Sequence, residues 1–142
     1  MDIAVVIPTL NESLNIRNTI KMMPDMIDEI IVVDSGSTDN TEAICLDMGV
    51  DFYYAEDIEP DLGHHLGKGE NLWKSQFVTD CDIICYIDAD LFTITPSYVE
   101  SLVSPLIIQP KTKFVKSYFD RSHTPYGGRV TALTAKPLLN VF

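Results

Sequence analysis

The sequence predicts an α/β fold, a mostly parallel sheet flanked by helices on both faces. Three observations predict it. Short apolar, β-rich runs recur at residues 3–7, 30–34 and 83–91, which suits strands covered on both sides. Helix-like apolar stripes and stop signals lie between them. Strand and helix alternate through the first half of the chain, and such alternation gives parallel strands joined by right-handed crossovers.

Ile3-Ala4-Val5-Val6-Ile7 is the first strand, bounded by Pro8. Asn11 is positioned to cap a helix whose apolar stripe is Leu14, Ile16, Ile20 and Met23, and Pro24 stops it. Residues 30–34 form the second strand, with Ser35-Gly36-Ser37-Thr38-Asp39 as its loop. Ser37 or Thr38 can cap a helix running to Met48, with Gly49 as its C-terminal signal. Residues 51–55 make a short third strand. Residues 56–69 are polar, glycine-bearing and irregular, the one stretch read as mobile. Residues 70–77 read as a helix that delivers the chain to the strand at 83–91. Pro96 opens a helix that fades near Pro105. Residues 112–119 alternate like a strand, 123–128 form a loop, and 130–139 form a helix that Pro137 bends or ends. No repeat, low-complexity tract or linker interrupts the chain, so residues 1–142 are expected to form one domain.

The chain has 142 residues, enough for a real core. No apolar run reaches the roughly 20 residues of a membrane span. The strand-like start at Asp2 lacks the basic flank of a signal peptide. Cys45, Cys81 and Cys85 cannot all pair and lack zinc-site spacing. They read as small core residues in a reducing compartment, so a cytoplasmic location is expected. A net charge of −11 argues against a nucleic-acid partner. Its distribution says more. Residues 111–142 carry six Lys or Arg against one Asp, a net +5 that leaves residues 1–110 at −16. A basic terminal segment on an acidic body points to an anionic ligand near the end of this chain. Oligomeric state is left open, a homodimer included.

Asp88 and Asp90 close the run Ile83-Ile84-Cys85-Tyr86-Ile87-Asp88-Ala89-Asp90-Leu91. Charge is costly in a dry interior, so both carboxylates are expected at the strand's carboxyl end, where open α/β sheets bind ligands. Alternation along an extended segment turns them to the same side. Two clustered anions need a positive partner, and a hard divalent cation carrying a diphosphate meets that need. In a parallel sheet, residues 8–12 and 34–37 converge on the same rim. Glu12, Asp34 and Ser35 there suit a base or ribose, while Asn11, Ser37, Thr38 and Asp39 read as turn or capping chemistry. No Gly-x-Gly-x-x-Gly follows the first strand, which disfavours a dinucleotide fold. Gly67-Lys68-Gly69-Glu70 lacks the spacing of a Walker loop, yet a lysine between glycines before a helix can reach a phosphate or sugar. His64 and His65 suit either ligand duty or a solvated loop. Gly127-Gly128-Arg129-Val130-Thr131 combines close backbone approach, a helix start, a guanidinium and a hydroxyl, a set that can hold a phosphate.

Taken together, these residues resemble the GT-A (Rossmann-like) glycosyltransferases, nearest the glucosyl-3-phosphoglycerate synthases, with the related mannosyl-transferring enzymes next. The likeness rests on Ile7-Pro8-Thr9-Leu10-Asn11-Glu12, on Val33-Asp34-Ser35-Gly36-Ser37-Thr38-Asp39, on Gly67-Lys68-Gly69-Glu70-Asn71-Leu72-Trp73 and on the Asp-x-Asp stretch Tyr86-Ile87-Asp88-Ala89-Asp90-Leu91. Gly127-Gly128-Arg129-Val130-Thr131, followed by Lys136-Pro137-Leu138-Leu139, is the most specific to that group. The resemblance implies a GT-A nucleotide-sugar-binding domain and a retaining transfer of glucose from a nucleoside diphosphate sugar, UDP-glucose in the first instance, to the 2-hydroxyl of 3-phosphoglycerate. It implies that Pro8, Leu10, Glu12, Ser35, Lys68 and Asp88 bind the nucleotide sugar. Asp90 is the implied ligand of Mg²⁺ or Mn²⁺, and Gly128, Arg129 and Thr131 the implied acceptor site. Asp88, Asp90 and Lys68 form the implied catalytic set. Members of the resembled group are about twice as long, so this chain is expected to lack their C-terminal part, including a later metal-binding His. Three alternatives accompany this reading: a non-catalytic nucleotide-sugar-binding fragment, a mannose donor, or a lipid-phosphate acceptor.

Overall fold

The computed structural model describes residues 1–117. The expected strand at 112–119 is therefore covered only in part. The expected loop at 123–128, the helix at 130–139 and the whole of Gly128, Arg129 and Thr131 lie outside the described residues.

The described residues form a four-stranded, all-parallel sheet in the order β3-β2-β1-β4. The strands are β1 (Ile3–Thr9), β2 (Glu29–Asp34), β3 (Asp51–Tyr54) and β4 (Ile83–Tyr86). Between and after them lie α1 (Ile16–Lys21), α2 (Thr41–Met48), α3 (Lys68–Lys74) and α4 (Pro96–Ile108). This is the expected α/β architecture.

Every residue of β1 is buried, as a strand flanked by β2 and β4 and covered on both faces requires. Alternation divides its side chains. Ile3, Val5 and Ile7 join a core with Ile16, Ile20, Cys45, Val99 and Val103, beneath α1, α2 and α4. Ala4 and Val6 join Ile31, Val33, Ala55 and Ile58 on the other face. Each such Val or Ile contributes about 1.5–3 kcal/mol by leaving water. Ile7→Ala would cost about 2–5 kcal/mol.

Several boundaries differ from expectation. Pro8 lies inside β1, paired with Val33. Its ring is tolerated because even-numbered β1 residues face β4, and β4 has turned away once the Ile87 N–H donates to the Val6 carbonyl at 3.0 Å. Asn11 does not cap a helix. It takes φ 57°, which Asn tolerates, and α1 begins only at Ile16. Leu14 stays 95% exposed, outside the stripe assigned to it. Ser37 and Thr38 do not cap α2 either, whose N-cap is Asn40, while Gly49 ends that helix at φ 71° as expected. β3 ends at Tyr54, whose hydroxyl donates to Glu42 Oε2 at 2.7 Å and ties β3 to α2. That bond, with desolvation, pushes Tyr54 up to about 12.

The irregular stretch contains two short 3-10 turns, Ala55–Asp57 and Pro60–Leu62. α3 starts at Lys68, two residues before the expected 70, and passes into a 3-10 turn at Ser75–Phe77. β4 is shorter than 83–91 because the chain turns at Ala89 and Asp90. α4 does not fade at Pro105 but runs on to Ile108. Val99, Leu102, Val103 and Leu106 continue its buried stripe past the proline, and that packing outweighs one lost hydrogen bond near the helix end. Residues 112–117 alternate in sequence yet form no ladder with the other described residues. Alternation describes side chains, and a strand also needs a partner for its backbone.

Candidate functional site

A parallel sheet delivers the carboxyl ends of its strands to one rim, and a cleft of about 290 Å³ opens there. Pro8, Leu10 and Glu12 line it from the end of β1 and Ser35 from the end of β2. Lys68 lines it from α3, and Asp88 and Asp90 from the turn after β4. The seven residues that the resemblance assigned to the donor and metal thus share one cavity. Ile87 and Ala89 are buried while Asp88 and Asp90 are not. The alternation therefore outlasts the strand and turns both carboxylates outward.

The loops behind this rim are laced together. The Asn11 N–H donates to Ser37 Oγ at 2.7 Å, and the Thr38 N–H donates to Asn11 Oδ1 at 2.8 Å. The Glu12 N–H donates to Thr41 Oγ1 at 2.9 Å, and the Ser13 N–H to Asp39 Oδ2 at 3.0 Å. Asn11, Ser37, Thr38 and Asp39 thus do turn work, as read from the sequence. Asp39 also accepts from the Thr41 hydroxyl at 2.5 Å and the Thr41 N–H at 3.0 Å. These hydrogen bonds, the Thr41 hydroxyl first, hold its carboxyl well below the usual carboxylate range against a smaller opposing desolvation.

Asp34 departs from expectation. It is 1% exposed and does not line the cleft. Its Oδ2 accepts from the Thr9 hydroxyl at 2.7 Å and the Ser37 hydroxyl at 2.5 Å, and its Oδ1 from the Gly36 and Ser37 N–H groups at 2.8 and 2.6 Å. With four donors satisfied, three from its own loop and Thr9 from β1, Asp34 builds the wall rather than touching what the cleft holds.

Lys68 Nζ pairs with Asp88 Oδ1 at the cleft mouth, with side chains 55% and 47% exposed. Gly67 precedes Lys68 at φ 126°, a backbone conformation that excludes other residues. His64 lies 4.0 Å from Glu70 Oε1, and the same oxygen accepts from the His65 N–H at 3.3 Å. Neither histidine lines the cleft.

Among the described residues, no three His, Cys, Asp or Glu are grouped closely enough to hold a metal by themselves. A hard divalent cation that carries a diphosphate needs only one or two carboxylates, because phosphate and water supply its other oxygens. Asp88 and Asp90 fit that requirement.

Three supporting residues escaped the sequence reading. Thr19, buried on α1, donates its hydroxyl to the Ala89 carbonyl at 2.8 Å. Its signal was a polar residue inside the Ile16–Ile20 stripe. Asn71, 1% exposed, lines the cleft one turn after Lys68 and reaches Val33 and Ser35. A spacing of three on a helix puts it on the Lys68 face. Lys74 is fully buried, and its Nζ donates to the Ile58 carbonyl and, at 2.9 Å, to the Glu59 carbonyl. It pins the irregular loop against α3, a bond that no local pattern announces.

Residues 4–126 match the family model described as "Glycosyl transferase family 2". Glucosyl-3-phosphoglycerate synthase of Petrotoga mobilis is 40% identical over 154 residues, which cover 99% of this chain and 47% of that protein. The protein of the same name from Mycobacterium tuberculosis H37Rv is 38% identical over 151 residues, covering 96% of this chain and 47% of that one. The crystal structure of the M. tuberculosis synthase with Mn²⁺, UDP and glucosyl-3-phosphoglycerate superposes with a TM-score of 0.83 at 40% identity, covering 99% of this chain and 50% of that one. The same synthase with Mn²⁺, UDP-glucose and phosphoglyceric acid gives a TM-score of 0.82. The chain spans about half the length of the curated relatives it matches. A parallel sheet with its cleft at the carboxyl rim and a family match over most of the chain lead to one conclusion: this chain belongs to glycosyl transferase family 2.

Proposed function

We propose that residues 1–142 are a single GT-A nucleotide-sugar-binding domain of a retaining transferase. It would move glucose from UDP-glucose to the 2-hydroxyl of 3-phosphoglycerate. The observation that carries this reading is the gathering of Pro8, Leu10, Glu12, Ser35, Lys68, Asp88 and Asp90 around one cleft. The names and bound ligands of the M. tuberculosis relative support the donor and acceptor.

In this reading Pro8, Leu10, Glu12 and Ser35 receive the nucleoside. Asp90 holds Mg²⁺ or Mn²⁺, with Asp88 beside it. When bound, that cation supplies charge stabilisation to the departing diphosphate. The Lys68 ammonium adds positive charge at the same oxygens once it exchanges Asp88 for the donor. A polyanionic acceptor needs cations of its own, set apart from the carboxylates that serve the donor. Gly128, Arg129 and Thr131 take that role. The acceptor hydroxyl attacks the anomeric carbon on the face from which UDP departs. The new C–O bond forms as the bond to the phosphate oxygen breaks, and that oxygen takes the hydroxyl proton. No protein nucleophile is required.

Incubation of the full chain with UDP-glucose, 3-phosphoglycerate and Mn²⁺ tests the reading, with GDP-mannose as the competing donor. Release of UDP together with glucosyl-3-phosphoglycerate is expected. Arg129→Ala should weaken phosphoglycerate use sharply while UDP binding persists. UDP binding without release would leave a binding module and end the transferase assignment for this chain.

A further inference from the structure

This inference rests on the reading of the cleft as a nucleotide-sugar pocket and concerns how one corner of it chooses its ligand. Asn71 is 1% exposed although it lines the cleft. Its Nδ2 donates to the Val33 carbonyl at 2.8 Å and to the Thr9 carbonyl at 3.5 Å. Both partners can only accept, so the NH₂ end of the amide is fixed and Oδ1 must face the other way. Oδ1 lies 2.8 Å from Ser35 Oγ. An amide oxygen can only accept as well, so the Ser35 hydroxyl is the donor in that bond. A hydroxyl has one proton. With it committed to Asn71, the Ser35 oxygen has only lone pairs to offer the cleft.

We propose that Asn71 is a positioning residue that sets the polarity of Ser35, so that this corner of the cleft selects a hydrogen-bond donor on the nucleoside and rejects an acceptor in the same place. Two nucleoside groups carry such chemistry, a base imide N–H and a ribose hydroxyl. Uridine has both. Cytidine presents a ring nitrogen lone pair where uridine presents its imide N–H. A 2′-fluoro or 3′-fluoro ribose presents an acceptor where the hydroxyl could donate. An acceptor facing the Ser35 lone pairs loses a hydrogen bond and leaves both groups unpaired in a partly closed site, which weakens binding about tenfold.

The test is calorimetric binding of UDP, CDP and 2′- and 3′-fluoro-UDP to the full chain with Mn²⁺ present. CDP or one fluorinated analogue should bind the wild-type chain about tenfold more weakly than UDP. Which analogue pays this penalty identifies whether base or ribose meets Ser35. In Asn71→Ala the freed hydroxyl can turn and donate, so the same ratio should fall towards one. Ser35→Ala removes the oxygen, leaves the Asn71 bonds to Val33 and Thr9 in place, and should collapse the ratio too, even where Asn71→Ala does not fold. A purely structural role for Asn71 would weaken every nucleotide in proportion. An unchanged ratio in the variants, or equal affinity of the wild-type chain for all four nucleotides, overturns the inference alone. Failure of the wild-type chain to bind UDP overturns the pocket reading and the inference with it.

Discussion

The Thr19 hydroxyl donates to the Ala89 carbonyl at 2.8 Å, joining α1 to the turn that carries Asp88 and Asp90. The two residues are 70 apart in sequence and both are buried. The bond holds the backbone midway between the two carboxylates. Thr19→Val keeps the shape and removes the donor, leaving the Ala89 carbonyl unsatisfied at a cost of about 1–3 kcal/mol. The variant is expected to lose stability in urea denaturation and to bind UDP more weakly when Mn²⁺ is present. An unchanged metal response in calorimetry would show that the turn holds itself.

The Lys68–Asp88 pair is exposed, so its contribution to folding is small, about 0–1 kcal/mol. Its two members matter to the ligand instead. Lys68→Ala should leave the unfolding midpoint nearly unchanged while reducing UDP-glucose affinity. Asp90→Ala should abolish the part of UDP binding that depends on Mn²⁺. Titrations of UDP with and without the metal separate the two effects, and metal dependence retained in Asp90→Ala would mean that another group holds the cation.

Asp39 gives the protein an acid-sensitive joint. Its carboxyl is held below its ordinary 3.8 chiefly by the Thr41 hydroxyl, and Ser13 and Thr41 N–H groups add to this. A depressed value in the folded state means that the stabilisation is complete above the ordinary value and fades as the pH falls through it towards the folded one. The stability difference between wild type and Asp39→Asn should therefore be largest near about pH 7 and shrink by about pH 3. Urea midpoints across that range check it, and a difference independent of pH would remove the carboxylate from the account.

Burial pushes the Cys45 and Cys85 thiols up to about 11. At pH 8 only about one in a thousand of either would be thiolate, the form that reacts. Iodoacetamide should leave both unmodified in the native protein and label both in urea, as read by intact mass.

The sequence displayed what depends on local pattern. The runs at 3–7 and 30–34 became strands because a stretch that is wholly apolar, or apolar but for its last residue, fits the middle of a parallel sheet. The acidic pair came out at the rim because charge could not stay inside. What the pattern did not display, and the capping role it offered for Asn11, depend on distant partners. Asn11, Asp34, Asn71 and Thr19 are defined by hydrogen bonds to groups 25 to 70 residues away or to the loop beside them, and no spacing along the chain encodes such partners. Pro105 and residues 112–117 failed for a related reason. Packing carried the helix over a breaker, and alternation alone supplied no ladder partner among the described residues.

All strands of the described sheet run the same way, and the ends of β1, β2 and β4 lead into the cleft. The Met1 ammonium lies 3.8 Å from Asp82, just ahead of β4, so the amino terminus emerges at the opposite end from Ser35 and Asp90. A strand of seven residues spans about 23 Å. A fluorophore or surface tether attached at the first residue would accordingly sit a full sheet's depth away from incoming nucleotide.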